Sequence, residues 1–225
     1  MTTLEKIRKH YNHYADFREK WLKKSKYFHA EDLFYYKSLI PKDSSVLEIG
    51  CGNGNLIGNL NLKKALGIDV SDRSINEAKK KFPNCNFLCS AVENLDETFN
   101  KSDKFDYIII SDTIGYFEDI QNNLNLLHNL CTKDTRIVVS YFSALWSPVL
   151  SLALTLNIKM PDLKPPLFSS LDLKTFLEIS NFETIKIEKK IIFPVKFLGI
   201  EKILNRIFAN LPFVNHLNLR QYLIA

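Results

Sequence analysis

Apolar side chains recur at helical spacing near the start of the chain, at Ile7, Tyr11, Tyr14, Phe17 (or Arg18) and Trp21, with charges between them. That spacing predicts an amphipathic helix with an aromatic face. A second helix is predicted over 30–39, ending at Pro41, because the residue before a proline is pushed out of the helical region. From Ser45 onward, short apolar runs alternate with helical ones. Strands are predicted over 45–50, 65–70, 86–90, 105–111 and 136–141. Helices are predicted over 55–61, 74–82 with Ser71 or Asp72 near the cap, and 120–130. Such alternation implies a parallel sheet with helices on both faces. After Tyr141 the pattern loosens into a helix over 143–157, a loop over 160–166 and a helix over 171–180 capped by Ser169 and Asp172. Two strands follow, 183–191 and 219–225, around an apolar-basic insert, 193–216, that carries Lys196, Lys202 and Arg206.

The 225 residues, 46% of them hydrophobic, suffice for a sizeable core and exclude a disordered chain. With no internal repeat or low-complexity tract, the chain reads as one domain over 1–225. Cys51, Cys85, Cys89 and Cys131 form no Cys-x-x-Cys pair and no regular framework, which implies reduced thiols in a cytoplasmic protein and no metal site. No basic segment followed by an apolar one opens the sequence, so no secretory signal is expected. Residues 137–158 carry no charge, a length that suits a bilayer span, but recurring serines and Pro148 favour a buried strand followed by an apolar helix. Net charge is +5, divided as +5 over 1–42, −5 over 43–135 and +5 over 136–225. A basic periphery around an acidic middle suits an anionic substrate, a phosphate-bearing surface or solvated helix faces.

Four of the seven glycines fall within nine residues, at 50, 52, 54 and 58, where a β-branched run stops and a helix is expected to begin. Glycines let such a turn take positive φ and bring bare backbone against a ligand. The third position of a dinucleotide fingerprint is Asn55, and no Lys-Ser/Thr pair makes a P-loop. Nineteen residues after Gly50, the second strand ends at Asp69, where a carboxylate can accept bonds from both ribose hydroxyls. In this order and spacing the two elements point to a nucleoside site.

On these residues the chain resembles the class I S-adenosylmethionine-dependent methyltransferases. Val46 to Leu56 is similar to their first motif, Leu66 to Ser71 to their acidic second strand, Phe87 to Leu95 to their adenine-side segment and Phe105 to Tyr116 to their fourth strand. The resemblance implies a Rossmann-like α/β fold with a seven-stranded, mostly parallel sheet whose last strand, near Leu219 to Ala225, runs antiparallel. It implies an N-terminal helical lid (1–42), a cofactor-binding half (43–141) and a substrate-side half (142–225) with inserts at 143–168 and 193–216. S-adenosylmethionine would be the cofactor and S-adenosylhomocysteine the product.

Carried over residue by residue, Gly50, Gly52 and Gly54, with Cys51 and Asn53 between them, would line the methionine and ribose side, Glu48 would orient the loop or reach the methionine end through water, Asp69 would hold the ribose and Val70 would lie on the adenine. Ala91 stands where such enzymes commonly have an acid, which leaves Val92 backbone, Ser90 and Glu93 for the adenine amino group. Ser111, Asp112 and Tyr116 would face the methionine end, Tyr116 also reading as a core aromatic. Tyr11 and Tyr14 are lid candidates, because electron-rich rings suit a sulfonium, or they pack on the sheet. His10, His13 and Asp112 are the candidates for a general base; both histidines also read as surface residues, and His128 as structural.

The segment Ser111-Asp112-Thr113-Ile114 lacks the prolines of amino-group methyltransferases acting on nucleic-acid bases. The expected acceptor is therefore a small molecule, a sugar or a lipid-linked, anionic compound of the kind methylated in bacterial surface-glycan or lipid pathways. Nucleic acid is disfavoured as a partner, since there is no dense basic stripe. A nucleic-acid methyltransferase, or an inactive donor-binding module that contacts a membrane peripherally, are the rival readings. The oligomeric state is not encoded in any of these patterns.

Overall fold

The computed structural model describes residues 1–100, 102–194, 201, 203, 205 and 215–225. Most of the insert expected over 193–216, with Lys196, Lys202 and Arg206, lies outside the described residues. At the centre is a seven-stranded sheet of β1 (Ser45–Ile49), β2 (Lys64–Asp69), β3 (Asn86–Cys89), β4 (Phe105–Ser111), β5 (Cys131–Phe142), β6 (Lys186–Lys190) and β7 (Arg220–Ile224). Its order is β3-β2-β1-β4-β5-β7-β6. The first five strands are parallel, and β7 is antiparallel to both β5 and β6. This is the Rossmann-like architecture expected from the sequence, with β7 wedged between β5 and β6.

Alternating residues feed two cores. Leu47, Ile49, Ile108, Ile110, Ile137 and Val139 face α6 (Ile120–Leu127) and α8 (Ser170–Ile179), while Val46, Ile109, Val138, Tyr222 and Ile224 face α3 (Lys26–Leu39) and α4 (Asp72–Lys81). A strand buried on both faces must be apolar throughout, which is why Ile108-Ile109-Ile110 reads as one run. Ser71 caps α4 by accepting from Ser74 N, and Ser169 with Asp172 forms a full capping box on α8.

Two elements differ from the expected pattern. The helix predicted over 55–61 is only a single 3-10 turn, Ile57–Asn59. Asn59 Nδ2 donates to Asn55 O at 2.7 Å, Asn61 takes φ +56°, and Gly58 lies under the Phe82 ring, so side-chain bonds and a mid-segment glycine defeat the helix. At the N-terminus, α1 (Thr3–Tyr14) and α2 (Arg18–Lys24) are joined by a 3-10 turn, Ala15–Phe17, that changes the phase of the apolar face. Phe17 is thereby turned to solvent, 54% exposed, and Arg18 takes the inward position. No described helix is long and apolar enough to cross a membrane.

Candidate functional site

Beyond the carboxyl ends of β1, β2 and β4 the chain bends around three positive-φ glycines, Gly50 (+73°), Gly52 (+52°) and Gly54 (+69°). At Gly50 an added Cβ would stand 2.2 Å from Thr113 Oγ1, so the turn and the β4 loop touch through bare backbone. Gly50 N and Cys51 N both donate to Ile68 O, which ties the bend to β2. Glu48, fully buried under the turn, accepts from Ile57 N at 3.0 Å. Burial pushes its carboxyl up to about 8, against the pull of that N–H and of Arg18. Cys51 and Asn53 point into the protein: the thiol packs at Gly67, and Asn53 Nδ2 donates to Ala15 O at 3.1 Å.

Asp69 accepts from Gly52 N through Oδ2 and from Ser71 N through Oδ1, each at 2.8 Å. A carboxylate offers about four acceptor positions, so one on each oxygen remains free. Burial raises its pKa, while the two hydrogen-bonded N–H groups, Arg18 and, least, the nearby Val70 N–H oppose that rise. The Arg18 guanidinium lies over the turn, 3.1 Å from where a Gly52 Cβ would be, and its buried Nε has no hydrogen-bond partner. A half-buried cation whose buried Nε is an unused donor marks a place for an anion.

From Gly50 and Asp69 a cavity of about 660 Å³ runs outward between α1, α2, β4 and α7 (Ser147–Thr155). Val70, Val92, Glu93, Ser111, Asp112, Tyr116 and Tyr11 line it, whereas Ala91 is buried beside it. Glu93 Oε1 accepts from Asn123 Nδ2 at 3.0 Å, and Ser90 Oγ is engaged with Thr98. The Tyr11 hydroxyl donates to the Tyr116 hydroxyl at 2.7 Å across the cavity, and burial pushes its pKa up to about 12. Tyr14 is not on the cavity lining; its ring packs against His10, His13 and Trp21. Neither His10 nor His13 reaches the cavity, since His10 Nε2 is bonded to Pro161 O at 3.0 Å and His13 is exposed. His128 stacks on Phe182 and is bonded to Ser180 O, away from the site.

Asp112 sits at φ +53° just past β4 and is held by Arg220 at 2.5 Å. Arg220 is fully buried and also donates to both oxygens of Asp32, at 2.9 and 3.2 Å, and to the hydroxyls of Ser111 and Ser140. One guanidinium thus serves two carboxylates, and burial of the surplus negative charge raises the Asp112 pKa against the pull of Arg220. His29, at the same cavity, is kept neutral because burial lowers its pKa to about 4.

Arg18, His29 and Arg220 carry no sequence signal of their own. Arg18 differs from its neighbours on the basic helix only through the 3-10 turn before it, and the partner of Arg220 lies 188 residues away. Among the described residues no group of histidines, cysteines and carboxylates is arranged to hold a metal.

A parallel sheet reversed by one antiparallel strand, with a glycine bend and an acidic second-strand tip at a cavity, defines the Rossmann-like class of methyltransferases. Residues 40–166 match the methyltransferase domain family, and the chain belongs to that family of class I S-adenosylmethionine-dependent enzymes. A malonyl-[acyl-carrier protein] O-methyltransferase of Ilyobacter polytropus is 28% identical over 64% of this chain and 54% of its own length. A ubiquinone/menaquinone biosynthesis C-methyltransferase of Campylobacter jejuni is 31% identical over 46% of this chain and 47% of its own. The chain spans about half the length of the curated relatives it matches. Among solved structures, a SAM-dependent methyltransferase of Thermotoga maritima superposes with a TM-score of 0.73 at 18% identity, covering 97% of this chain and 98% of that one. Magnesium protoporphyrin IX methyltransferase of Synechocystis, with bound S-adenosylhomocysteine, gives 0.68 at 15% identity, covering 99% and 98%.

Proposed function

We propose that the chain transfers a methyl group from S-adenosylmethionine to a small acceptor with a large apolar part, bound in the cavity between the N-terminal helices and residues 143–168. The observation that carries this reading is the pair of spare acceptor positions on Asp69, next to a bare glycine bend and opening into an aromatic-walled cavity. Those two positions match the two hydroxyls of a ribose. Arg18 offers its unused Nε to the carboxylate of the donor's methionine end, and Val70 and Val92 give the adenine an apolar bed.

When bound, the donor supplies a methyl carbon on a sulfonium, open to in-line attack. The protein's share is to position, to exclude water and to hold charge. Tyr11 and Tyr116, linked across the cavity, close the space over the bend. Asp112, aimed by Arg220, is the group placed to accept a proton from the acceptor's nucleophile. The wall of Phe28, Phe142, Trp146, Leu150 and Phe168 favours a lipid-like or aromatic acceptor over a free sugar phosphate. The quinone biosynthesis named for the Campylobacter relative agrees with an acceptor of that kind.

Calorimetric titration with S-adenosylhomocysteine tests the donor half. Binding is expected, and Asp69→Ala should weaken it by about 1.5 to 3 kcal/mol through lost charge-assisted bonds. Uptake of NAD in place of that ligand would overturn the reading. For the acceptor half, methyl-labelled donor is presented with prenylated aromatics and with nucleotide sugars; turnover on the sugars alone would reject the apolar acceptor.

A further inference from the structure

The outer face of α7 is unlike the rest of the surface. Leu145, Val149, Leu152 and Leu156 follow one another at intervals of four, three and four residues, which makes a single stripe, and each is between 51% and 65% exposed. No residue of α7 is buried, and no charge occurs from 137 to 158. Val149, Leu152 and Leu156 of the stripe themselves line the cavity beside Leu150, Ala153 and Leu154, so the stripe forms part of the mouth of the site.

Its border is cationic. Lys20, Lys23 and Lys24 share one face of α2, all are exposed, and none forms an ion pair among the described residues. Lys24 Nζ donates to Asn157 O, and Trp21 Nε1 donates to Asn157 Oδ1 at 3.1 Å, which fastens α2 to the end of the α7 segment. The one acid from 137 to 171, Asp162, is neutralised by Lys159.

An apolar stripe alone would suit many partners, but a basic rim around it selects a negatively charged apolar surface. A second copy docking face to face would set these lysines against each other. No described helix is long enough to pass through a bilayer, whereas a short uncharged helix with lysines at its edge suits the boundary between headgroups and acyl chains. We infer that α7 and the lysine face of α2 dock on an anionic phospholipid surface, so that the cavity opens onto the bilayer. Resting on the methyl-transfer reading, this makes the acceptor a molecule drawn from the membrane.

Sedimentation of the full chain with phosphatidylcholine vesicles, with and without phosphatidylglycerol, tests the docking surface. The wild type should sediment only with the anionic vesicles, and less as salt is added. Leu145→Glu with Leu152→Glu, and separately Lys20→Glu with Lys23→Glu, should each reduce binding about tenfold or more. Donor titration and melting temperature report whether each variant is folded, and the lysine pair serves if the leucine pair is not. Failure of the wild type to bind, or binding indifferent to both pairs, overturns the inference. So does a dimer in sedimentation velocity that only the leucine pair dissociates, which would assign the face to a second copy. Vesicle binding does not require the donor: loss of docking with donor binding intact removes this inference alone, and docking without donor binding removes the methyl-transfer reading.

Discussion

Glu48 lies under the glycine bend and holds the segment after it through Ile57 N, so its protonation bears on the stability of the bend. Burial raises its carboxyl from the ordinary value of 4.5 in the unfolded chain to about 8 in the folded one. The folded state therefore holds the extra proton between those values, so stability falls as pH rises through that window and levels off above it. Thermal unfolding from pH 5 to 9 without donor should show the melting temperature of Glu48→Gln gaining steadily on that of the wild type up to about pH 8; a constant difference would mean the side chain is ionised throughout. Asp69 and the glycines were legible in the sequence because they act through local backbone, within twenty residues of one another. Arg18 was legible only as an alternative to Phe17 on the helix face and not as a site residue, because a 3-10 turn three residues long decides which of the two faces inward.

Among the elements, the bend between β1 and the 3-10 turn has the least freedom. Gly50→Ala would hold a Cβ at φ +73° and push it into Thr113, whose own Oγ1 is bonded to Ser111 O at 2.8 Å. The conformational strain alone costs about 1 to 2 kcal/mol, so donor affinity and melting temperature should fall together in titration and calorimetry. The strands were readable from their β-branched runs to within a residue or two, apart from β5, which begins at Cys131, before the apolar stretch that marks it, and β6, which begins at Lys186, three residues after the expected start. The structure departs from the helix expected after the bend because Asn59 bonds the Asn55 carbonyl, Asn61 takes a positive φ and Gly58 has low helix propensity.

Across the whole molecule, Arg220 joins the end of the described chain to its beginning. From β7 it reaches Asp32 on α3 and Asp112 at the cavity, while Tyr222 donates to Asp32 at 2.5 Å and Tyr36 to Ser140 at 2.8 Å. Arg220→Met would leave the buried Asp32 carboxylate without its cation and release Asp112 at the cavity, and denaturant unfolding should show a loss of about 3 to 5 kcal/mol. A variant as stable as the wild type would mean that water already reaches Asp32. None of this could be read from a lone arginine in a strand, a position that more often faces solvent. The placement of β7 also bears on kinetics. Its slot between β5 and β6 is filled only once β7 has found β5, pairing residues as far apart in sequence as Ser140 and Tyr222, which makes its insertion a slow, late event. Until it occurs, Cys131–Phe142 and Lys186–Lys190 each offer an open edge to other strands, so refolding yield should drop as protein concentration rises.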